Sequence, residues 1–367
     1  MKSLREAKFK NKNVVLRVDY NIEIVNGKIL DDTRIKSTLK TIDYILKAGA
    51  KKITLISHLG RPKGTFDEKY VLKPAAIRLA ELLKIKEIKT EEGFYQISNK
   101  IVMLENIRFN AREESEDKGE REGLAKKLAK NNDIYIDDAF ANVHRKHASI
   151  YELAQILPCY SGFLLEKETL MLSKLLKKPR KPFVCILGGA KVDTKIGVIK
   201  NLVGKVDNFL IGGKIGNAFL AARGLNIKKS KIDTKEIRVA AEILKMKNIN
   251  IQIPLDVSWS QDEIFDIGPK TISAYKKIIA SAQTIFWNGP MGYIEGDEKY
   301  KKGSQMLMKV ISEVSGTTIV SGGETVSVAE DSGLGNKITF LSTGGGATLE
   351  FLTGIKLPGL EVLGYYK

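Results

Sequence analysis

The chain has 367 residues, 43% hydrophobic and 28% charged, and carries a formal charge of +17 from 60 Lys and Arg against 43 Asp and Glu. This composition excludes disordered and fibrous classes, the length exceeds what one hydrophobic core usually supports, and the charge favours anionic partners; about two globular domains are expected. The two cysteines, Cys159 and Cys185, stand in apolar surroundings, which excludes a disulfide framework or a set of thiolate metal ligands.

Short apolar runs alternate with longer helical patterns along the whole chain. Strands are expected at residues 13–18, 52–57, 101–104 and 134–136. A helix follows over 162–178, carrying Leu164, Leu165, Leu172, Leu175 and Leu176 and stopped by Pro179 and Pro182. Further strands are expected at 183–187, 209–211, 249–253, 284–287, 318–320 and 338–341. The fold class is therefore α/β, with mostly parallel sheets covered by helices on both faces. In open sheets of this kind ligands sit just beyond the carboxyl ends of the strands, so chemistry is sought there. Lysine pairs such as Lys126-Lys127 and Lys228-Lys229, and the mixed charges of 112–121, read as solvated helix surface.

In the first half the basic residues sit at strand ends and turns. They occur in Arg17-Val18-Asp19-Tyr20-Asn21, Asp31-Asp32-Thr33-Arg34, Ser57-His58-Leu59-Gly60-Arg61-Pro62 and Glu105-Asn106-Ile107-Arg108-Phe109. Asp137-Asp138-Ala139-Phe140 then leads to His144-Arg145-Lys146-His147. A guanidinium fork grips two phosphate or carboxylate oxygens at once, so several at neighbouring strand ends would hold a small polyanion, with Asp19 and Asn21 on its hydroxyls. Taken singly, each arginine also reads as half of a surface ion pair. The histidines lack ligand spacing and suit hydrogen bonding better than a metal.

In the second half the strand ends are glycine-rich. Residues 183–187 run into Gly188-Gly189-Ala190-Lys191-Val192-Asp193-Thr194-Lys195, where free amides, a helix N-terminus and two lysines at i and i+4 attract phosphates. Neither a Walker A loop nor a Gly-x-Gly-x-x-Gly fingerprint is present. Gly212-Gly213, Gly322-Gly323-Glu324-Thr325 and Gly344-Gly345-Gly346 repeat the pattern. Trp287-Asn288-Gly289-Pro290-Met291-Gly292 makes a rigid turn on which an adenine could rest, with Glu295 available for ribose hydroxyls. Glu324 is placed where a phosphate-bound magnesium would need a carboxylate. Singly, Trp287 also reads as a core aromatic and Glu324 as an acid favoured by the helix dipole.

This ordered set resembles the phosphoglycerate kinase family over essentially the whole chain. The likeness is carried by residues 17–21, 31–35, 57–62, 104–109, 138–149, 162–168, 183–196, 266–271, 287–292, 322–325 and 342–350. The resemblance implies two Rossmann-like domains. The first, 1–161, would bind 3-phosphoglycerate or 1,3-bisphosphoglycerate; 162–178 would be the interdomain helix. The second, 179–350, would bind ADP or ATP with Mg2+, and the tail 351–367 would return to the first domain. It implies reversible, direct in-line phosphoryl transfer with hinge-bending closure that excludes water. Position by position, Asp19, Asn21, Arg34, His58, Arg61, Arg108 and Arg145 would hold the glycerate ligand, and Arg34 and Lys191 would be catalytic. Gly189, Lys195, Gly213, Asn288, Pro290, Glu295, Gly323, Glu324 and Thr325 would bind the nucleotide, with Glu324 at the metal. A monomer is expected. No signal-like apolar run opens the sequence and none approaches the ~20 residues of a membrane span, so the cytoplasm is expected, with no membrane partner.

Four features depart from the family pattern: Glu324 where Asp is usual, Lys214 where a third glycine is usual, Glu23 for a common proline, and a shortened stretch between Ile232 and Asp266. None removes a charge that the chemistry requires. Two other readings remain. One is a nucleic-acid binder, against which stands the lack of an aromatic-rich basic strand, helix-turn-helix pattern or arginine tract. The other is a relative that has lost activity through Glu324 and Lys214.

Overall fold

A computed structural model of the chain describes residues 1–190 and 192–366. The chain divides into two compact units, Met1–Thr169 with Lys356–Lys367, and Leu170–Ile355.

The first unit contains β1 (Asn13–Arg17), β2 (Ile24–Val25), β3 (Lys28–Ile29), α1 (Thr33–Lys47), β4 (Lys52–Ile56), α2 (Lys73–Leu82), β5 (Lys89–Glu91), β6 (Phe94–Gln96), β7 (Ile101–Leu104), α3 (Lys118–Ala129), β8 (Ile134–Asp137), α4 (Leu153–Ile156), β9 (Cys159–Ser161) and the start of α5 (Phe163–Lys177). Its seven-stranded sheet runs β5-β6-β7-β4-β1-β8-β9, parallel except at the β5–β6–β7 edge. The period of two along each strand sends alternate side chains to opposite faces. Val14, Leu16, Ile53 and Leu55 pack with Ile35, Ile42 and Ile45 of α1 and Leu79 of α2. Val15, Ile56 and Tyr135 face Leu124 of α3 and Leu153 of α4 on the other side. Each such fully buried aliphatic side chain contributes about 1.5–3 kcal/mol.

The second unit contains β10 (Phe183–Leu187), α6 (Val192–Leu202), β11 (Asn208–Ile211), α7 (Gly213–Ala222), α8 (Thr234–Leu244), β12 (Ile251–Gln252), β13 (Val257–Ser260), β14 (Glu263–Ile267), α9 (Pro269–Ala280), β15 (Thr284–Asn288), α10 (Lys302–Ile311), β16 (Thr317–Ser321), α11 (Gly323–Asp331), β17 (Phe340–Ser342) and α12 (Gly346–Leu352). Its six-stranded sheet, β12-β11-β10-β15-β16-β17, is wholly parallel. Helices on both faces demand strands that are apolar throughout, and every residue of β10 is buried. The tail ends in α13 (Pro358–Val362), which belongs to the first unit. There Leu357, Leu360 and Leu363 are buried, the Gly359 amide donates to the Val143 carbonyl at 2.8 Å, and the Met1 ammonium donates to the Gly364 carbonyl at 2.8 Å.

The α/β class holds, with differences in detail. The strand expected at 249–253 is reduced to Ile251–Gln252, because Pro254 has no amide to continue a ladder. The strand expected at 338–341 begins only at Phe340. The division into units falls inside α5. Among the described residues no helix is long and apolar enough to cross a membrane.

Candidate active site

Both sheets reverse their strand order beside the first strand of the unit, between β1 and β8 and between β10 and β15. Connections leave such a point in opposite directions, so a crevice opens at the carboxyl ends of its two strands.

In the first unit β1 delivers Asp19 to that crevice, 5% exposed. The Asp31 carboxylate accepts the Thr33 amide at 2.8 Å, and Asp32 is held by Arg78 at 2.8 Å and Lys36 at 2.7 Å. This fixes the first turn of α1 and sets Arg34 against Asp19 as an ion pair. His58, buried after β4, places Nδ1 3.7 Å from Asp19 Oδ1. Burial, with Arg17 and Arg108 nearby, holds its imidazole neutral, well below its ordinary value. Asn21 Oδ1 accepts the Gly60 amide at 2.9 Å, and Arg108 donates to the Gly60 carbonyl at 2.8 Å while its Nε lies 2.8 Å from Glu114. Burial lowers Arg108 to about 10, so its fork remains charged.

Asp19, Asn21, Arg34, His58 and Arg108 are thus joined through one network of contacts around the Gly60 turn. Arg61 is exposed and makes no hydrogen bond or ion pair among the described residues; Arg145 is exposed and donates to His144 at 3.1 Å. Sequence reasoning missed Asn106, whose amide group donates to the Leu59 and Tyr70 carbonyls at 2.7 and 2.9 Å and pins the same turn. Its place before Arg108 in a strand-end motif was the available signal.

Asp137 and Asp138, at the end of β8, are fully buried, and burial raises them to about 6 and about 7. Asp138 Oδ1 accepts the Leu164 and Leu165 amides at 2.8 and 3.1 Å, capping α5. Both folded values lie above the unfolded 3.8. The stability tied to their protonated forms is complete below that value and lost as pH rises through 6 and 7. An Asp137→Asn/Asp138→Asn variant is therefore expected to gain in Tm on the parent between pH 5 and 8, read by thermal melts of both proteins at each pH.

In the second unit the two strand ends are tied together by backbone bonds. The Gly188 amide donates to the Asn288 carbonyl at 3.0 Å, Gly189 to Pro290 at 2.7 Å and Gly213 to Met291 at 2.8 Å. Trp287 is fully buried and its indole donates to the Gly289 carbonyl at 2.7 Å, so it is a core aromatic that braces the turn. The Asn288 amide donates to the Ser321 carbonyl at 3.1 Å, and the buried Thr325 hydroxyl accepts the Gly289 amide at 2.7 Å. Both of these side chains shape the turn from below. A side chain added at Gly189 would stand 3.3 Å from the Lys195 ammonium, which places that charge at the loop. Lys191 lies outside the described residues.

Above this floor is a cavity of about 640 Å³ lined by Gly189, Gly213, Pro290, Glu295 and Glu324 among others. Lys214, Asn217, Lys231, Phe265, Met291 and Tyr293 also line it. Of these, Asn217 could have been found, four residues past Gly213 on the same helix face. Lys231 and Phe265 approach through the β13–β14 hairpin and its flank, which no motif announced. Asp266 in the same wall accepts the Gly303 and Ile267 amides at 2.7 and 2.8 Å, and burial raises it to about 6.

Two doubly wound units, one with a cation-edged crevice and one with a glycine-floored cavity of nucleotide size, define a two-domain α/β phosphotransferase. A family profile described as phosphoglycerate kinase matches residues 4–355. The chain belongs to the phosphoglycerate kinase family. A relative of that name from Dictyoglomus turgidum is 43% identical, covering 98% of this chain and 97% of the relative, and one from Roseiflexus sp. strain RS-1 is 41% identical over 99% and 98%. The solved phosphoglycerate kinase structure from Pyrococcus horikoshii OT3 matches with TM-score 0.88 at 32% identity, covering 99% and 98% of the two chains. That from Coxiella burnetii matches with TM-score 0.83 at 34% identity over 99% of each. The reaction is reversible phosphoryl transfer from 1,3-bisphosphoglycerate to ADP, giving 3-phosphoglycerate and ATP.

Proposed function

We propose that the β1–β8 crevice binds the glycerate substrate and the glycine-floored cavity binds ADP or ATP. The observation that carries this assignment is the cavity itself, whose lining unites Gly189, Gly213, Pro290, Glu295 and Glu324 from four separate strand ends. Glu295 reaches the ribose, Lys195 meets the phosphates beside the Gly188-Gly189 loop, whose own amides are taken by the Asn288 and Pro290 carbonyls, and Gly323 leaves open space at the start of α11. Asn288 and Thr325 act by holding the turn. In the first unit Arg34, His58, Arg108 and the exposed Arg61 and Arg145 take the carboxylate and phosphate of the glycerate, while Asp19 and Asn21 take its hydroxyl.

Among the described residues no group of three or more His, Cys, Asp and Glu could hold a metal alone. Glu324, an exposed carboxylate at the cavity wall and the start of α11, fits a magnesium ion already chelated by nucleotide phosphates and keeping several waters. Bound there, magnesium would supply neutralisation of charge on the nucleotide phosphates. The ADP β-phosphate oxygen attacks the acyl phosphate as the phosphorus–oxygen bond to the carboxylate breaks, with no phosphoenzyme and no proton to move. Arg34 and Lys191 stabilise the equatorial charge in that step. Holding two ligands in line and away from water requires the ligand-bearing units to close during turnover, which we assign to hinge bending near α5. The working state is a monomer in the cytoplasm.

A coupled assay with 3-phosphoglycerate and ATP is expected to show turnover that chelation of magnesium abolishes. Glu324→Gln is expected to raise the magnesium concentration needed for half-maximal rate by roughly tenfold, as loss of one charged contact does. No turnover at saturating substrates and magnesium would make the chain an inactive relative.

A further inference from the structure

Beneath the proposed glycerate site runs a buried chain of polar contacts, all within the first unit, that none of the assigned roles uses. Its far end is Glu113, fully buried in a short turn after Arg108. Glu113 accepts the Ser149 amide at 2.9 Å on one carboxylate oxygen and the Ser149 hydroxyl at 2.6 Å on the other. A hydroxyl has one hydrogen, so with that donated Ser149 Oγ is left as an acceptor, and it takes Arg17 Nε at 2.9 Å. Arg17 is itself fully buried, and a second nitrogen donates to the Val18 carbonyl. Its remaining terminal nitrogen stands 3.4 Å from His58 Nδ1.

An arginine nitrogen can only donate, so Nδ1 of a neutral His58 is the acceptor and the ring hydrogen sits on Nε2. The same Nδ1 stands 3.7 Å from Asp19 Oδ1, beyond hydrogen-bond reach, so the chain ends at His58, and Asp19 is held separately by Arg34. A buried guanidinium held by a carboxylate through one hydroxyl is expensive to assemble, and such groups persist where they fix a geometry.

We propose that Glu113 and Ser149 are positioning residues for the transfer reaction: they clamp Arg17, and Arg17 sets the tautomer and orientation of His58. The proposal rests on the assignment of His58 to the glycerate site. It makes His58 a neutral Nε2–H donor to an anionic oxygen, with the correct face locked before substrate arrives.

Ser149→Ala keeps every charge and removes the bridging hydroxyl. In the full chain it is expected to raise KM for 3-phosphoglycerate by about tenfold while KM for magnesium ATP stays within about twofold. In nitrogen-15 spectra of histidine-labelled protein, the Nε2–H pattern of His58 is expected to give way to mixed tautomers. Glu113→Gln, which keeps the volume, separates clamping from background charge. Removing a negative charge near an anion site would by itself tighten substrate, whereas losing the clamp weakens it. A lower KM for 3-phosphoglycerate in Glu113→Gln overturns the proposal. So does an unchanged KM and spectrum in Ser149→Ala when His58→Gln raises KM. If His58→Gln is itself silent, the assignment of His58 to the site fails first, and the positioning role falls with it.

Discussion

A Gly213→Ala variant is expected to lose nucleotide binding while keeping glycerate binding. Gly213 opens α7 with φ of +56°, a conformation that costs an L side chain roughly 1–2 kcal/mol. The added carbon would also lie 2.4 Å from the Gly189 amide nitrogen and 2.8 Å from the Pro290 carbonyl oxygen. Neither neighbour is a flexible side chain that can swing aside. The β10 loop and the β15 turn must separate, and the bonds from Gly189 to Pro290 and from Gly213 to Met291 loosen with them. KM for ADP and ATP is expected to rise by tenfold or more, about 1.4 kcal/mol, with KM for 3-phosphoglycerate within about twofold. Tm should fall by roughly 4–8 °C, the shift that about 2 kcal/mol gives a unit of this size. Gly323→Ala is the control. Nothing lies within 4 Å of a side chain added there and its φ is not positive, so Tm should be unchanged, and any loss of nucleotide affinity would come from contact with the ligand.

How much of this was legible in the sequence depends on the length of the signal. Residues 101–104 and 183–187 fold as the strands expected, because runs of four and five apolar residues, with three and five of them buried, leave no polar face to present. The β2–β3 hairpin is two residues per strand, too short for a periodic pattern, although its Asn26-Gly27 turn, with φ of 50° and 73°, is a strong turn signal. The β13–β14 hairpin had a weaker one: its turn is Gln261-Asp262, both with positive φ, where Asp tolerates that conformation but no glycine marks it. That hairpin carries Phe265 into the cavity wall, so part of the candidate site was hidden for the same reason as the fold around it.

The glycines and acids of the proposed nucleotide site were visible because they stand immediately after long buried strands, where the topology opens a crevice. The glycerate side was visible as residue types but not as a network. Nothing in the spacing of Glu113, Ser149 and Arg17 announces that they meet, since each belongs to a different segment and only the tertiary fold brings them within hydrogen-bond distance. Sequence order also treats Arg108 and Arg61 alike. In the structure one is 7% exposed and tied to Gly60 and Glu114, whereas the other is exposed. A buried, prebound guanidinium fixes the position of a ligand at little entropic cost, and an exposed one must be ordered by it.

Arg34→Ala is expected to lower kcat by about 10²–10³-fold, the usual consequence of removing one preorganised charge from a phosphoryl-transfer site. Its effect on binding has a second source. Asp19 is 5% exposed and paired with Arg34, so deletion of the guanidinium leaves a buried carboxylate uncompensated beside the proposed glycerate site. That charge repels the substrate, and KM for 3-phosphoglycerate should rise along with the loss in kcat. Asp19→Asn placed on the Arg34→Ala background removes the repulsion and should recover much of the binding, but none of the turnover that Arg34 itself provides. The two substitutions are therefore expected to be non-additive in KM, with a coupling of about 1–3 kcal/mol, and nearly additive in kcat. A KM that rises with kcat intact would instead mean that Arg34 contacts the ground state and the transition state equally, making it a binding residue only.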